Sequence, residues 1–275
     1  MFKALNIKRI RRKIKTSIRK ISFLIFKNKY HYYYKLLYDK NGIEIGGPSA
    51  FFSQIIDIYS IIKSLDGVNF SSSTIWEGKL NEGLSYKFGN NKIGYQYICD
   101  AVNMECIESS KYDFVLSCNN LEHIANPFKA ISEMLRIIKK DGLIFLVLPN
   151  KNTNFDHKRE ITSFNHLQDD YEKNVTEEDI SHLEEILALH DLSMDPLAGD
   201  FGNFKNRSLK NYQNRCLHHH VFNMAILIKI FKYFNIKLLV KDYTYTDYII
   251  VGKKNVKTSK RCLRIETDID NMGKN

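Results

Sequence analysis

Histidines gather in the second half of the chain, and a neutral imidazole is the side chain best suited to accept a proton near neutral pH. His157 and His166 stand alone, whereas three histidines are consecutive at 218–220. Neighbouring residues of a helix diverge by about 100°, so the triplet cannot converge on one ligand, and we expect one or two of its members in a pocket. If the nucleophile is a hydroxyl group, we predict His157 as the base that removes its proton, then His166, with His219 as a further candidate.

Cations in the same stretch offer a second chemistry, the binding of an anion. We predict that five side chains hold a substrate: Arg159, Arg207, Arg215, His218 and His220. A phosphate oxygen already bears negative charge, so as a nucleophile it would need such donors and no base. The residue types leave the choice between a hydroxyl and a phosphate acceptor open.

No metal site is predicted. Thr176–Asp179 has the pattern of a capping box, which predicts a helix to about Leu189 with His182 one turn after Glu178. Two ligands do not make a closed metal site.

The five cysteines form no close pair, which argues against a zinc ribbon or a disulfide framework and favours a reducing cytosol: Cys99, Cys106, Cys118, Cys216 and Cys262.

A glycine pair follows a short apolar run near the start of the chain. Gly42–Ile45 reads as a strand that contains one acid, Glu44, and it is followed by Gly46, Gly47 and Pro48. A strand that ends in glycine allows a small molecule to lie directly on the backbone. We therefore predict a ligand at this turn.

Four further strand signals follow, separated by helical or turn patterns. A predicted helix at Phe52–Leu65 precedes the first of them, and Met134–Gly142 is predicted as the helix and turn before the last. The predicted strands are Val68–Ser71, Tyr95–Ala101, Tyr112–Cys118 and Leu143–Pro149.

These five motifs, in this order over residues 42–150, resemble class I S-adenosylmethionine-dependent methyltransferases. The resemblance implies S-adenosylmethionine as cofactor, with Glu44, Gly46, Gly47 and Pro48 around its methionine part. It places Asn69 at the position where an acid usually accepts hydrogen bonds from the ribose hydroxyls, and Glu77 is an alternative acid for this role. It also implies cofactor contacts for Asp100, Ala101, Ser117 and Cys118. The family often has histidine where this chain has Asn119, so no histidine function is transferred to that position.

The later residues resemble methyltransferases encoded with bacterial surface-polysaccharide (capsule or lipopolysaccharide) genes. This resemblance rests on Phe155–His157, His166, Asp169, His182–Glu185 and the triplet 218–220. It implies an acceptor that is a sugar or a sugar-linked phosphate or phosphoramidate group.

The expected fold is an α/β, doubly wound, mostly parallel seven-stranded sheet with an antiparallel edge strand, a Rossmann-like methyltransferase fold. A helical pattern at His220–Phe234 and a hairpin from Ile236–Val240 and Asp247–Val251 supply its C-terminal part, and residues 191–204 are predicted as irregular loop. The predicted parts are a basic N-terminal helical arm (1–40), a cofactor-binding half (41–150), a substrate-binding cap (151–217), a last helix and hairpin (218–253) and a polar tail (254–275).

The net charge of +10 comes entirely from the N-terminal arm. Residues 1–29 hold eleven Lys or Arg and no Asp or Glu, so the remainder has thirty basic against 31 acidic residues. Isoleucines recur every three or four residues there, which predicts an amphipathic helix. Its apolar stripe could pack on the protein or a second subunit, or lie in an anionic membrane surface; nucleic acid is disfavoured because the body lacks a basic excess.

The sequence thus predicts a cytoplasmic O-methyltransferase, with peripheral contact at the inner membrane as an open alternative. Its predicted acceptor is an oxygen of a surface-polysaccharide precursor. Two other functions stay open: an RNA methyltransferase that grips phosphates with its basic arm, and a non-catalytic scaffold that only binds the cofactor. No run of about 20 apolar residues is present, so the arm can contact only one membrane face.

Overall fold

The computed structural model describes residues 30–89 and 91–255. The predicted basic arm at 1–29, most of the predicted polar tail, and Cys262 lie outside the described residues. In the described part, no helix has both the length and the apolar character that a membrane span requires.

One large sheet organises the described chain. Its strands, with the two of a small separate hairpin, are β1 (Asn41–Ile45), β2 (Ser64–Asn69), β3 (Ser73–Thr74), β4 (Gly78–Lys79), β5 (Gly83–Phe88), β6 (Lys92–Ile98), β7 (Tyr112–Cys118), β8 (Ile138–Pro149), β9 (Ile236–Tyr243) and β10 (Asp247–Lys254). The order in the large sheet is β5-β6-β2-β1-β7-β8-β10-β9, and the five strands from β6 to β8 are parallel. Strands β1 and β7 are buried on both faces, as expected of central parallel strands.

The predicted Rossmann-like class is confirmed, with eight strands in the large sheet in place of seven. The additional strand is β5, which pairs antiparallel with β6 at one edge. Near the other edge, β10 lies between β8 and the edge strand β9 and runs antiparallel to both, which matches the predicted C-terminal hairpin. The hairpin β3–β4 and β5 occupy the connection between β2 and β6.

Helices cover both faces of the sheet. They are α1 (30–37), α2 (Pro127–Ile137), α3 (Phe164–Glu172), α4 (Leu183–Leu189), α5 (Phe201–Leu209), α6 (Asn211–Asn214) and α7 (Met224–Tyr233). On one face α2, α3 and α7 pack around Phe128, Leu227 and Phe231. On the other face Tyr33 of α1 and Phe52 pack against Phe145 of β8.

The predicted helix at Phe52–Leu65 is wrong. A single π turn at Phe51–Ile55 and a 3-10 turn at Ile58–Ser60 occupy it, and β2 begins at Ser64. Asp57 between the turns has a left-handed backbone with φ of 42°, which a continuous helix cannot contain. Apolar side chains before and after Asp57 are buried, so core packing overrides the helical pattern.

Other boundaries also move. The predicted helix from Thr176 starts only at Leu183, and the last helix starts at Met224 because the Asn223 side chain caps it by accepting from the Ile226 amide at 2.9 Å. The three histidines at 218–220 therefore precede the helix, in chain without regular secondary structure. Helix α5 occupies part of the predicted loop 191–204, and α2 passes into β8 at Ile138 without the predicted turn.

Candidate active site

A cleft of about 800 Å³ lies where the parallel strands end. Residues that follow β1, β2, β6, β7 and β8 form one wall, which is where ligands bind in open α/β sheets. Segment 151–217 is here called the cap. It supplies the opposite wall with Asn154, Phe155, Glu177 and Arg215, and His218 immediately after the cap also lines the cleft. The cleft is thus shared between the sheet and the cap.

The glycine turn contributes Gly46 and Pro48 to the cleft wall. Gly46 has φ of 74°, and a Cβ there would lie 2.5 Å from the Asn120 side-chain nitrogen. Only glycine fits this conformation and this close approach without strain. Gly47 does not line the cleft; a Cβ there would meet the Glu44 carboxyl at 2.3 Å and the Tyr86 hydroxyl at 2.5 Å.

Glu44 does not line the cleft, and its side chain lies against Gly47 of the glycine turn. Its buried carboxylate accepts hydrogen bonds from the hydroxyls of Tyr59 and Tyr86, the latter at 2.7 Å, and from the Ser49 amide at 3.2 Å. Burial raises the pKa of Glu44 in spite of these donors. The predicted direct contact of Glu44 with the cofactor is not supported, because its oxygens already hold the turn in place.

Two polar groups around the turn lack hydrogen-bond partners in the part of the chain that the structure describes. They are the buried atoms Asn120 Oδ1 and Ser49 Oγ, and both residues line the cleft. Asn69 ends β2 beside them and donates to the Gly47 carbonyl at 3.3 Å. Buried polar atoms without partners are costly, so these groups fit a polar ligand such as a nucleoside with an amino-acid moiety. Glu77 and Cys118 also line the cleft, whereas Ser117 does not.

Asp100 and Ala101 line the cleft at the end of β6, as predicted from their position in the sequence. The predicted substrate residue Arg215 also lines it, but its guanidinium donates to Asp100 at 2.9 Å and pairs with Glu177 at 3.0 Å. The Arg215 charge is therefore neutralised by two carboxylates. The bond to Asp100 joins the cap to the sheet, while the bond to Glu177 lies within the cap.

A carboxylate and two imidazoles converge on the floor of the cleft. A carboxylate oxygen of Glu122 and one ring nitrogen each of His123 and His218 all lie within 4.8 Å of one another. His218 Nδ1 lies 2.5 Å from Asp156 Oδ2, and His123 Nδ1 lies 3.1 Å from the Leu217 carbonyl. Because an acceptor oxygen holds each Nδ1 proton, Nε2 is the nitrogen left free on both rings.

Arg159 fixes the carboxylate that orients His218. Its buried guanidinium donates to Asp156 at 3.1 Å and to the His218 carbonyl at 2.7 Å. Against its burial, the charge of His218 and then that of Arg159 lower the pKa of Asp156 to about 2, and Asp156 in turn raises the pKa of His218 against its burial. Arg159 was predicted to hold substrate, but it does not line the cleft and acts on Asp156 instead.

Burial controls the other two groups of the floor. It raises the pKa of Glu122 to about 7, and neither oxygen of this carboxyl has a hydrogen bond to the described residues. It lowers the pKa of His123 well below the ordinary value, with the His218 charge adding to the effect. The floor thus combines a His123 that is neutral near neutral pH with a carboxyl and an imidazole, Glu122 and His218, whose pKa values are both raised.

The structure separates the predicted bases His157, His166 and His219 from this floor. His157 forms a partly exposed pair with Asp191 at 2.9 Å, and His166 lies 3.0 Å from His182 in a different part of the cap. His219 is buried, as is His220, which was predicted with His218 to hold substrate, and none of these four lines the cleft. Of the three consecutive histidines, it is His218 that lines the cleft.

Few cations face the cleft. Among the described residues that line it, five carry carboxyl groups against one arginine and no lysine: Glu77, Asp100, Glu122, Glu177 and Asp247. Arg207, another predicted substrate residue, lies outside the lining and pairs with Asp195 at 2.9 Å. The cleft therefore lacks the free arginines that a phosphate site would need.

Sequence reasoning did not select Glu122, His123 or Asp156 as site residues. Glu122 and His123 directly follow the predicted strand Tyr112–Cys118 and its loop, and the end of a parallel strand is a signal that could have found them. Asp156 immediately precedes the favoured His157, but nothing in the local sequence indicates that it binds His218.

Comparison with known proteins supplies a family. The family model described as Methyltransferase domain matches residues 12–197, more than half of the chain. No curated protein matches the sequence.

Solved structures with a similar fold include several methyltransferases at low identity. The CurJ carbon methyltransferase aligns with 12% identity and a TM-score of 0.41 over 79% of this chain, which spans 49% of that protein's length. A SAM-dependent methyltransferase from Archaeoglobus fulgidus aligns with 15% identity and a TM-score of 0.42, covering 83% of this chain and 91% of that one. One from Methanosarcina mazei aligns with 16% identity and a TM-score of 0.40, covering 79% and 93%.

Proposed function

The chain belongs to the methyltransferase domain family, and from this premise we propose that it methylates a sugar hydroxyl of a surface-polysaccharide precursor. S-adenosylmethionine is its methyl donor and supplies an electrophilic methyl group when bound. The observation that carries the proposal is His218 in the cleft wall, with its Nδ1 proton held by Asp156.

The cofactor site is assigned to the sheet side of the cleft. Gly46 and Pro48 border it, Asn120 and Ser49 offer the unpartnered polar atoms described above, and Asp100 lies at the end of β6. Asn69 takes the position where an acid was expected, and as an amide it both donates and accepts hydrogen bonds. The acidic cleft also suits a cofactor that carries positive charge on sulfur.

In this proposal, His218 is the general base that removes the proton of the acceptor hydroxyl. The acceptor oxygen would bond to the methyl carbon as the carbon–sulfur bond of the donor breaks and leaves a neutral thioether. The acceptor proton would move to His218 Nε2, and the Asp156 carboxylate would stabilise the positive charge that develops on the ring. Arg159 is a positioning residue, because its bonds keep Asp156 ionised and aligned. Such a base is required by a hydroxyl and would be superfluous for a phosphate oxygen.

Two features favour a neutral sugar as acceptor. The five carboxyl groups of the cleft would repel a phosphate or phosphoramidate, and Arg215 is already paired with two of them. Aromatic side chains of Trp76 and Phe155 line the cleft, and their flat apolar faces can pack against a sugar ring. Of the two acceptors left open by the sequence, we favour the hydroxyl.

The test is a methyl-transfer assay with purified full chain, S-adenosylmethionine and two matched acceptor panels: nucleotide-linked sugars whose sugar hydroxyls are free, and the same compounds with those hydroxyls blocked. Mass spectrometry should find products heavier by one CH₂ only among acceptors with a free hydroxyl. Methylation that persists on blocked acceptors, at phosphate or nitrogen, would overturn the proposed oxygen chemistry. Failure to methylate any acceptor while the cofactor binds would favour the scaffold function.

A further inference from the structure

A second group of histidines lies in the cap region, outside the cleft. His166 is on α3, His182 directly precedes α4, and His220 precedes α7. One ring nitrogen from each lies within 4.8 Å of the other two. A carboxylate joins them, since Asp170 Oδ2 lies 3.3 Å from His166 Nε2 and 3.7 Å from His220 Nε2. Three separate segments thus bring four potential ligands together.

An ordinary hydrogen bond accounts for only part of this arrangement. His166 Nε2 and His182 Nε2 are 3.0 Å apart, which fits one nitrogen donating to the other. Asp170 Oδ2 is nevertheless buried without a hydrogen bond to the described residues, although it lies close to these rings. His220 Nε2 lies 3.1 Å from the Ala125 carbonyl. An unsatisfied carboxylate oxygen between imidazoles is costly and points to a missing ligand.

We propose that His166, His182 and His220, with the Asp170 carboxylate, bind a divalent transition-metal ion of the zinc class. Zinc–nitrogen bonds of 2.0–2.1 Å place tetrahedral ligand atoms roughly 3.3 Å apart, which is close to the separations of His166 from His182 and from Asp170. His220 completes the set after a small ring movement that exchanges its contact with Ala125 for the ion.

The electrostatic environment suits such an ion. Burial lowers the pKa values of His182 and His220, so both rings are neutral and offer lone pairs at neutral pH. A cavity of about 170 Å³, which His166 and His182 line, gives the ion a route from solvent. His182 Nδ1 lies 3.7 Å from Glu185, which also accepts from Arg159 at 3.1 Å.

The consequence would be a metal clamp between the cap and the core. The ion would join α3 and the start of α4 to the chain segment that contains His218, two residues before His220. Through Glu185 it would also support Arg159, which positions Asp156. The site is structural in this proposal, because none of its ligands lines the cleft.

The experiment uses the full chain after treatment with a chelator and titrates Co²⁺, then Zn²⁺. We expect about one ion per chain and the visible absorption of tetrahedral Co²⁺, which Zn²⁺ displaces. His166→Ala and Asp170→Asn should each weaken binding by roughly 10-fold to 100-fold or more. His31→Ala is the matched control, since His31 is exposed on α1 and far from the group in sequence.

Binding by the cleft floor is the alternative that the same titration excludes. His123→Ala should leave Co²⁺ binding unchanged, and circular dichroism should show that the His166 and Asp170 variants remain folded. Absence of binding by the wild-type chain would overturn the proposal. So would full binding by the His166→Ala variant, or loss of binding in His123→Ala alone.

Discussion

At the scale of single residues, the hydrogen-bond partner of each histidine decides its chemistry. His218 and His157 both have an aspartate partner, yet Asp156 is buried and held by Arg159, while Asp191 forms a partly exposed surface pair. Of the two histidines that line the cleft, His123 has a carbonyl as the partner of its Nδ1, whereas His218 has a carboxylate that can stabilise a charged ring. The base is thus selected by its surroundings.

His218→Gln tests this selection. Glutamine can still bond to Asp156 but cannot take up a proton, so kcat should fall by roughly 10²-fold to 10⁴-fold while the dissociation constant of S-adenosylmethionine stays unchanged. Steady-state kinetics and calorimetry measure the two quantities. In the wild type, kcat should rise with pH through the raised pKa of His218, because only the unprotonated ring is a base.

The control for this prediction is His157→Gln, which removes the partly exposed pair with Asp191. We expect wild-type kinetics from this variant. Equal losses of kcat in the two variants would contradict the assignment of the base to His218.

Glu122 should make stability depend on pH. Its pKa is raised from 4.5 to about 7 in the folded protein, so between these values the folded state holds a proton that the unfolded state lacks. Stability contributed by this group is therefore lost as pH rises through that window. Glu122→Gln should flatten the dependence and raise the free energy of unfolding by roughly 2 kcal/mol at about pH 8, with little change at about pH 5.

Urea unfolding of wild type and variant at both pH values measures the effect. The difference between the two proteins is the relevant quantity, because other groups titrate equally in both. A difference that does not change with pH would show that the Glu122 carboxyl is already ionised in the folded state at about pH 5.

Gly46→Ala tests the glycine turn. The substitution places a Cβ 2.5 Å from Asn120 Nδ2 in a residue with φ of 74°, so it should displace Asn120 and weaken cofactor binding by about 10-fold or more. Gly78→Ala is the matched control, because Gly78 has φ of 67° but no atom within 4 Å of the added carbon. Calorimetry should find normal cofactor affinity in the control. Equal affinity in both variants would contradict a role for this turn in the cofactor site.

At the scale of elements, the cap and the sheet share the site. Strands present Gly46, Asn69 and Asp100, and the cap presents Phe155 and Glu177 across the cleft. Arg215 of the cap bonds to Asp100 at the end of β6, and Glu177 of the cap holds the same guanidinium. The guanidinium between two carboxylates is therefore one of the links between the cap and the sheet.

Arg215→Lys should loosen this connection, because one ammonium cannot reproduce both bonds. We expect faster amide hydrogen exchange in α5 and α6 and a fall in kcat/KM of about 10-fold. Arg207→Lys is the control, since Arg207 pairs only with Asp195 inside the cap. Hydrogen exchange that is equally slow in both variants would show that other contacts hold the cap.

At the scale of the whole molecule, charge is divided unequally along the chain. All of the basic excess belongs to residues 1–29, while the cleft is acidic. We propose that residues 1–29 attach the enzyme to anionic membrane surfaces, where lipid-linked sugar precursors would be found.

Deletion of residues 1–29 should abolish binding to vesicles that contain anionic lipid and leave methyl transfer to a soluble acceptor intact. Co-sedimentation with anionic and neutral vesicles measures attachment, which should weaken as salt increases. Attachment that survives the deletion, or that is equal on neutral vesicles, would contradict the proposal.

The sequence by itself determined the central architecture. Strands β1, β6, β7, β8 and β10 were identified because strands with buried residues read as apolar runs that end at glycine or polar residues. The mostly unburied β9 was identified from its own apolar run beside that of β10. Strand β5 and the turns after β1 were missed, since pairing at an edge and packing around Asp57 depend on distant residues. Cleft positions for Gly46, Asn69 and Asp100 followed from their place at strand ends.

Only the tertiary structure decided which ionisable side chains meet. His218 is bound by Asp156, 62 positions earlier, and His220 lies beside Asp170 of α3. No local pattern encodes such contacts, because they arise when the cap folds onto the sheet and burial forces each polar group to find a partner. The sequence therefore specified a methyltransferase scaffold with abundant histidines, and folding assigned each histidine its neighbours.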